Sequence, residues 1–211
     1  MRPIIKSILY ICLIVALLQI FSTHTYCQSS ILWQKNYGGS STDYCYQIQP
    51  TFTGGYIMAG TTNSSDDEVT SISGLGNVWI VEIDTGGNIV WEKTYGNLTG
   101  AYAIKQTSDS GFIIAGYCDD SGGDVTTYFG ESDFWVLKID KTGNLIWQKS
   151  LGGPMFDEAK AIYPTFDGGY VIAGFTLSMS GEITDYHGGI SDCWLVKLND
   201  TGAVQNLWGY R

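Results

Sequence analysis

The chain has 211 residues, a formal net charge of −10, 14% aromatic residues, 15% charged residues and 27 glycines. An acidic chain repels nucleic acid and anionic membrane surfaces, so the charge argues against both as partners. The abundance of glycine, tyrosine and tryptophan, with few runs of helix-forming residues, favours an all-β chain with many turns.

Residues 1–28 have the pattern of an export signal. Arg2 and Lys6 precede an apolar stretch, residues 8–18, that is too short to cross a bilayer and remain there. We therefore expect a signal peptide at 1–28, no membrane span after its cleavage, and a secreted or outer cell-surface location. An uncleaved N-terminal anchor is the alternative.

The rest of the chain repeats one sequence unit three times, over residues 31–88, 89–144 and 145–203. Each copy contains a Trp-Lys phrase, a short piece ending in Ile, a ten-residue Gly phrase, a variable polar loop and an alternating segment. The Gly phrase reads TFTGGYIMAG, TSDSGFIIAG and TFDGGYVIAG in the successive copies. Tandem repeats of about this period are typical of propeller blades.

The alternating segment predicts a β-strand followed by a tight turn. In copy two, Trp135, Leu137 and Ile139 fall on one face, and Val136 and Lys138 fall on the other. The DKTGN that follows supplies glycine and asparagine, which tolerate positive φ, and predicts a hairpin. Each copy thus predicts about four short antiparallel strands, with GGYVIAG as the innermost because it is apolar and ends in small residues.

Three such blades are too few for a ring, because propellers close with at least about four. We therefore predict an all-β fold of tandem four-stranded blades, β-propeller-like, whose three copies form an incomplete, open propeller. The sequence then enters VQNLWGYR, which we interpret as the truncated start of a fourth repeat. We expect a fragment of a larger protein, with self-association to complete a ring as the alternative.

The repeat pattern WxKxxGG, DGGYxxAG, DxWxxKxDxxGN resembles the tandem repeats of exported, propeller-like proteins in Bacteroidetes-type bacteria. Many of those proteins are large surface proteins with a type IX secretion sorting tail. The resemblance covers residues 31–203. The resemblance implies export and a propeller-like fold more than a particular activity.

Two shorter phrases resemble other propellers. VLKIDKTGNLIW is similar to the docking phrase of quinoprotein propellers. Thr107, Asp109 and Gly111 match the Asp-box of sialidase-type propellers, as does the same phrase in copy three, whereas copy one has Thr53 in the Asp place. In those families both phrases are structural turns outside the catalytic centre, so the resemblance implies turns here.

The sequence offers no catalytic constellation. His187 is the one histidine after the signal, it lies in a variable loop, and the other copies have no counterpart. A G-x-S-x-G nucleophile elbow is also missing from the sequence. We therefore expect no catalytic residue and no enzyme, with a fragment of a quinoprotein- or sialidase-like enzyme as the alternative.

Calcium is the one cofactor for which the sequence offers a candidate site. Asp119, Asp120 and Asp124 cluster in DDSGGD, and clustered carboxylates can hold Ca²⁺. The stretch does not match the D-x-[DN]-x-[DN]-G calcium loop, so a solvated acidic loop is the alternative interpretation.

Three cysteines follow the signal: Cys45, Cys118 and Cys193. They lack any metal-binding spacing, and an odd number cannot be fully paired within one chain. We interpret them as small buried apolar residues, with a disulfide pair plus one free thiol as the alternative.

The copies differ most in the polar loops, where Tyr128, Phe129 and Tyr186 occur. Variable loops on a constant framework are typical of binding proteins. The sequence therefore predicts a non-catalytic module for protein or glycan binding or display, with a passive spacer as a further alternative, because fold alone does not fix function.

Overall fold

The computed structural model describes residues 30–70, 72 and 74–205. The predicted signal peptide and most of the VQNLWGYR segment lie outside these residues. The chain divides into two compact units, Met1–Gln34 and Lys35–Arg211. In the first unit, residues 30–34 are described and carry no strand. Among the described residues there is no helix long and apolar enough to cross a membrane.

The described residues of the second unit form eleven antiparallel strands. They are β1 Asp43–Pro50, β2 Tyr56–Thr62, β3 Asn77–Ile83, β4 Ile89–Tyr95, β5 Thr99–Gln106, β6 Phe112–Cys118, β7 Asp133–Ile139, β8 Leu145–Leu151, β9 Asp157–Pro164, β10 Tyr170–Thr176 and β11 Asp192–Leu198. Sheet I contains β1–β4, sheet II contains β5–β8 and sheet III contains β9–β11, each with its strands in chain order. The described chain has no helix and no closed barrel. This arrangement confirms the predicted all-β class and is consistent with an open propeller-like arrangement.

The sheets are offset from the sequence copies by one strand. The Trp-Lys phrase of copy two forms β4, the last strand of sheet I, and that of copy three forms β8, the last strand of sheet II. At the corresponding place in sheet III, Val204 pairs with Leu198, as Ile89 pairs with Ile83 in sheet I. Each complete sheet therefore takes its strands from two successive copies, which fastens one copy to the next.

The predicted hairpin after the alternating segment is confirmed between β7 and β8. Asp140 Oδ1 accepts hydrogen bonds from the backbone N–H groups of Thr142 and Asn144, at 2.8 and 2.9 Å. Gly143 has φ of 82°, a conformation that glycine adopts without strain. The side chain of Asp140 thus closes the turn that the sequence places there.

The expectation that GGYVIAG is innermost is wrong. Its strand in copy three, β10, lies between β9 and β11 and is paired on both sides. The small residues serve close approach within the sheet: a Cβ on Gly174 would lie 2.0 Å from the backbone oxygen of Glu158. The first strand of a sheet instead contacts the preceding sheet, since β9 contacts β5, β6 and β7.

Two cores hold the three sheets together. The core between sheets I and II contains Ile57, Val78, Ile80, Ile114 and Trp135 among its buried residues. The core between sheets II and III has a separate set of buried residues: Ala103, Ile113, Ala115, Phe134, Val136, Leu151, Ala159, Ile162, Tyr170, Ile172, Val196 and Leu198. Sheet II is therefore covered on both faces. This is why the residues that point to either face of its strands are apolar.

All three described cysteines are free thiols. Cys118 is fully buried, as predicted, and burial raises the pKa of its thiol to about 12. For Cys45 and Cys193 the prediction of burial is wrong, because both are exposed. They lie on the outer faces of sheets I and III, which no other described sheet covers.

Candidate functional site

A row of tyrosines runs from β1 of sheet I to β5 and β6 of sheet II. Tyr46 on β1 and Tyr102 on β5 have ring centroids 5.1 Å apart. Tyr44 extends the row on one side, 6.0 Å from Tyr46, and Tyr117 extends it on the other, 5.5 Å from Tyr102. We call these four residues the tyrosine row. Tyr44 and Tyr46 are exposed, and Tyr102 and Tyr117 are half-buried.

A β-bulge places the row's central residues. In sheet I, Cys45 pairs with Gly60 and Gln47 pairs with Ala59, so the residue between them, Tyr46, has no partner of its own. The same register shift lies between Ala101 and Ala103, which leaves out Tyr102. A bulged residue leaves the strict alternation of the strand. This is why two tyrosines can turn towards each other from neighbouring sheets.

Sheet III contributes a lysine at the same bulged position. Lys160 Nζ lies 3.5 Å from the ring centroid of Tyr102 and 5.5 Å from that of Phe175. The same ammonium forms an ion pair with Glu158, two residues earlier on β9. A cation is therefore held over the ring of Tyr102, with the carboxylate of Glu158 beside it.

The hydroxyl groups of Tyr102 and Tyr117 remain protonated at neutral pH. Burial raises the pKa of Tyr102 to about 12, and the carboxylate of Glu158 adds to the effect. Burial also raises the pKa of Tyr117. Protonated phenols can both donate and accept hydrogen bonds. The row thus offers aromatic faces, hydroxyl groups, an ammonium and a carboxylate to a ligand, which is a set of groups suited to binding.

Two of the predicted calcium ligands, Asp120 and Asp124, accept hydrogen bonds from nearby backbone N–H groups. Asp120 Oδ1 accepts a hydrogen bond from Ser121 N at 2.7 Å, and Asp124 Oδ2 accepts one from Gly96 N at 3.0 Å. Burial raises the pKa of Asp119. The described residues contain no group of three or more His, Cys, Asp or Glu side chains placed to hold a metal ion.

The loop aromatics belong to different local arrangements. Tyr128 packs against the core between sheets I and II, whereas Phe129 is exposed. The hydroxyl of Tyr186 donates to Gly189 O at 2.7 Å. His187 lies next to it and donates its backbone N–H to Asp192 Oδ2 at 2.6 Å.

Two buried carboxylates lie side by side beneath the loops of sheets II and III. Asp133 starts β7 and Asp157 starts β9, and both are fully buried. A Cβ on Gly152 would lie 2.2 Å from Asp133 Oδ1 and 2.8 Å from Asp157 Oδ2, so both side chains point at that glycine. Burial, with a contribution from Asp157, raises the pKa of Asp133 to about 6. Among the described residues, neither Oδ1 atom has a hydrogen-bond partner.

The sequence pattern did not identify the tyrosine row, although a signal was present. The short pieces CYQI, AYAI and AKAI differ at their second position, which is Tyr46, Tyr102 and Lys160. Outside the loops most framework positions are similar in all three copies, so a change from Tyr to Lys marks a position with a role other than packing. Recurring aromatics are usually packing residues, and that general rule hid this exception.

No family model matches this chain, and no curated protein matches it. A crystal structure of a protein of unknown function from Bacteroides caccae is similar over 79% of this chain, with 11% sequence identity and a TM-score of 0.46. The match covers 46% of that protein, so this chain spans less than half of its length.

Proposed function

We propose that this chain is a non-catalytic binding module of an exported, surface-associated protein, and that it binds glycans through the tyrosine row. The observation that carries the proposal is the row itself. Aromatic rings that serve only packing are usually buried, yet Tyr44 and Tyr46 are exposed beside the half-buried Tyr102.

Glycans fit the chemistry of the row better than other ligands do. The apolar face of a sugar ring can lie on an aromatic ring, and its hydroxyl groups can bond to phenols, Lys160 and Glu158. The acidic charge of the chain disfavours nucleic acid, which would otherwise also stack on tyrosines. Export, inferred from residues 1–28, would bring the row to extracellular glycans.

A glycan-array screen followed by calorimetric titration tests the proposal. We expect Tyr46→Ala to weaken binding by about tenfold or more, because it removes an exposed aromatic face. Tyr186→Ala is the matched control, since that tyrosine lies in a loop of sheet III outside the row.

Three results would contradict this assignment. The first is an array without binding, and the second is unchanged affinity of Tyr46→Ala. The third is loss of binding in Tyr186→Ala alone, which would move the binding site to the variable loops.

A further inference from the structure

The outer face of sheet I exposes residues that are interior in the other sheets. We call five residues of this face the receiving face: Cys45, Ile48 and Tyr56, which are exposed, and Met58 and Trp79, which are buried in a cluster with Val69 and Tyr37. Ile48 has 52% of its surface exposed, whereas the equivalent residues of sheets II and III, Ile104 and Ile162, are 0% and 3% exposed. Those two are buried because a preceding sheet covers them. The receiving face thus has the composition of a covered face, but no described sheet covers it at Cys45, Ile48 and Tyr56.

The outer face of sheet III also exposes residues whose equivalents in the other sheets are buried. We call Val171, Ala173, Cys193 and Leu195 the leading face. Leu195 has 65% of its surface exposed, whereas its equivalents in sheets I and II, Ile80 and Val136, are each 0% exposed. Ile80 and Val136 belong to the cores that join each sheet to the next one. The residues of the leading face therefore correspond to those that, in sheets I and II, form one half of the core shared with the next sheet.

We propose that the leading face of one chain docks on the receiving face of a second copy, so that two chains close head to tail into a ring of six sheets. This contact would use the same strand positions as the two contacts within the chain, between sheets I and II and between sheets II and III. Six sheets lie within the usual range of closed propellers, whereas three do not. Head-to-tail contacts of this kind form closed rings when the rotation per unit divides the circle.

A cavity on the receiving face matches this occupant. It has a volume of about 240 Å³, and Tyr37, Cys45, Met58, Gly60 and Trp79 are among its lining residues. In sheet III the equivalent place, beside Gly174 and Trp194, is filled by Phe134 of sheet II. The ring of Phe134 lies 4.6 Å from that of Trp194, and a Cβ on Gly174 would come within 2.7 Å of it. At the position of Phe134, the leading face has Cys193. Docking would place this cysteine in the cavity.

The chain before sheet I already contacts that sheet as a preceding sheet would. The hydroxyl of Tyr95, at the end of β4, donates to Gly143 O of sheet II at 2.5 Å. The hydroxyl of Tyr37, at the same repeat position, donates to Gly87 O of sheet I at 2.8 Å. The edge of the receiving face is thus built as it is at the interface between sheets I and II.

The docking brings two exposed cysteines from different copies together. Cys193 takes the position of Phe134, and Cys45 takes that of Ala159, and these two residues lie in one core between sheets II and III. A short bismaleimide should therefore link Cys193 of one copy to Cys45 of the other.

Co-expression of two cysteine variants tests this arrangement. In a background with Cys12→Ser and Cys27→Ser, one chain carries Cys45→Ser and the other carries Cys193→Ser. We expect no linked pair from either variant alone and a linked pair from the co-expressed chains. Cys118→Ser is the control and should leave linking of the background chain unchanged, because Cys118 is buried. Circular dichroism of each variant confirms folding. Linking by either variant alone, or no linking in the co-expressed pair of folded chains, would overturn the proposal.

Discussion

Asp133 shows how a single side chain departs from the repeat. At the interface between sheets I and II, β3 starts with Asn77 and β5 starts with Thr99. At the interface between sheets II and III, the equivalent strands β7 and β9 start with Asp133 and Asp157. Burial, together with the neighbouring carboxylate of Asp157, opposes the ionisation of Asp133. The raised pKa of Asp133 is therefore a cost to the folded chain at neutral pH.

We expect Asp133→Asn to stabilise the chain by about 1 kcal/mol at pH 8 and to have little effect at pH 3.5. The pKa of Asp133 rises from 3.8 to about 6 on folding. Between these values the unfolded chain releases the proton first, so wild type loses stability as pH rises through this window. Urea unfolding of both chains from pH 3.5 to pH 8 measures the difference. A difference that does not change with pH would contradict this explanation.

At the scale of elements, the Asp-box phrase is a structural turn joined to the third strand of its sheet. Lys138 on β7 is buried, and its Nζ lies 3.1 Å from Asp109 Oδ1 and 3.0 Å from Thr107 Oγ1. Lys197 makes the same bond to Asp167 at 2.8 Å. The hydrogen bonds from lysine, threonine and backbone outweigh partial burial and lower the pKa of Asp109.

The departure of copy one at Thr53 now has a physical reason. The position of Lys138 is occupied in sheet I by Glu82, and the hydroxyl of Thr53 donates to Glu82 Oε1 at 3.3 Å. An aspartate at 53 would face that glutamate and repel it. Position 53 and position 82 therefore change together, which is expected of a turn and not of a binding motif.

A double-mutant cycle tests this coupling. We expect Thr53→Asp alone to destabilise the chain slightly, and Thr53→Asp with Glu82→Lys to show a favourable coupling of about 0.5–1 kcal/mol. Thr53→Asn with Glu82→Lys is the matched control, because asparagine has the shape of aspartate without its charge. Equal coupling in both pairs, measured by urea unfolding, would show that charge is not the cause.

The sequence predicted what the strand period and turn chemistry determine. The alternation at Trp135 and the DKTGN turn correctly located β7 and the hairpin to β8. The offset between copies and sheets was not predictable, because a repeat read from sequence has no marked starting point. The bulge that exposes Tyr46 also escaped prediction, because it depends on the pairing register and not on alternation.

At the scale of the whole molecule, the exposure of an apolar residue depends on whether a neighbouring sheet covers it, and not on its residue type. Sheet II is covered on both faces, and its apolar residues at equivalent positions are buried. On the outer faces of sheets I and III, some residues at these equivalent positions are exposed, among them Ile48 and Leu195. Large exposed apolar faces are typical of interaction surfaces in soluble proteins. The central claim of this account is that these two faces cover each other in a pair of chains.

The sedimentation mass of the purified chain tests this claim most directly. We expect wild type to have twice the mass of one chain and Leu195→Glu to have the mass of one chain, because docking would bury the new charge. Leu75→Glu is the matched control, since Leu75 is 70% exposed and belongs to neither face, and this variant should remain paired. A wild-type chain with the mass of a single chain, or a Leu195→Glu variant that remains paired, would contradict the account.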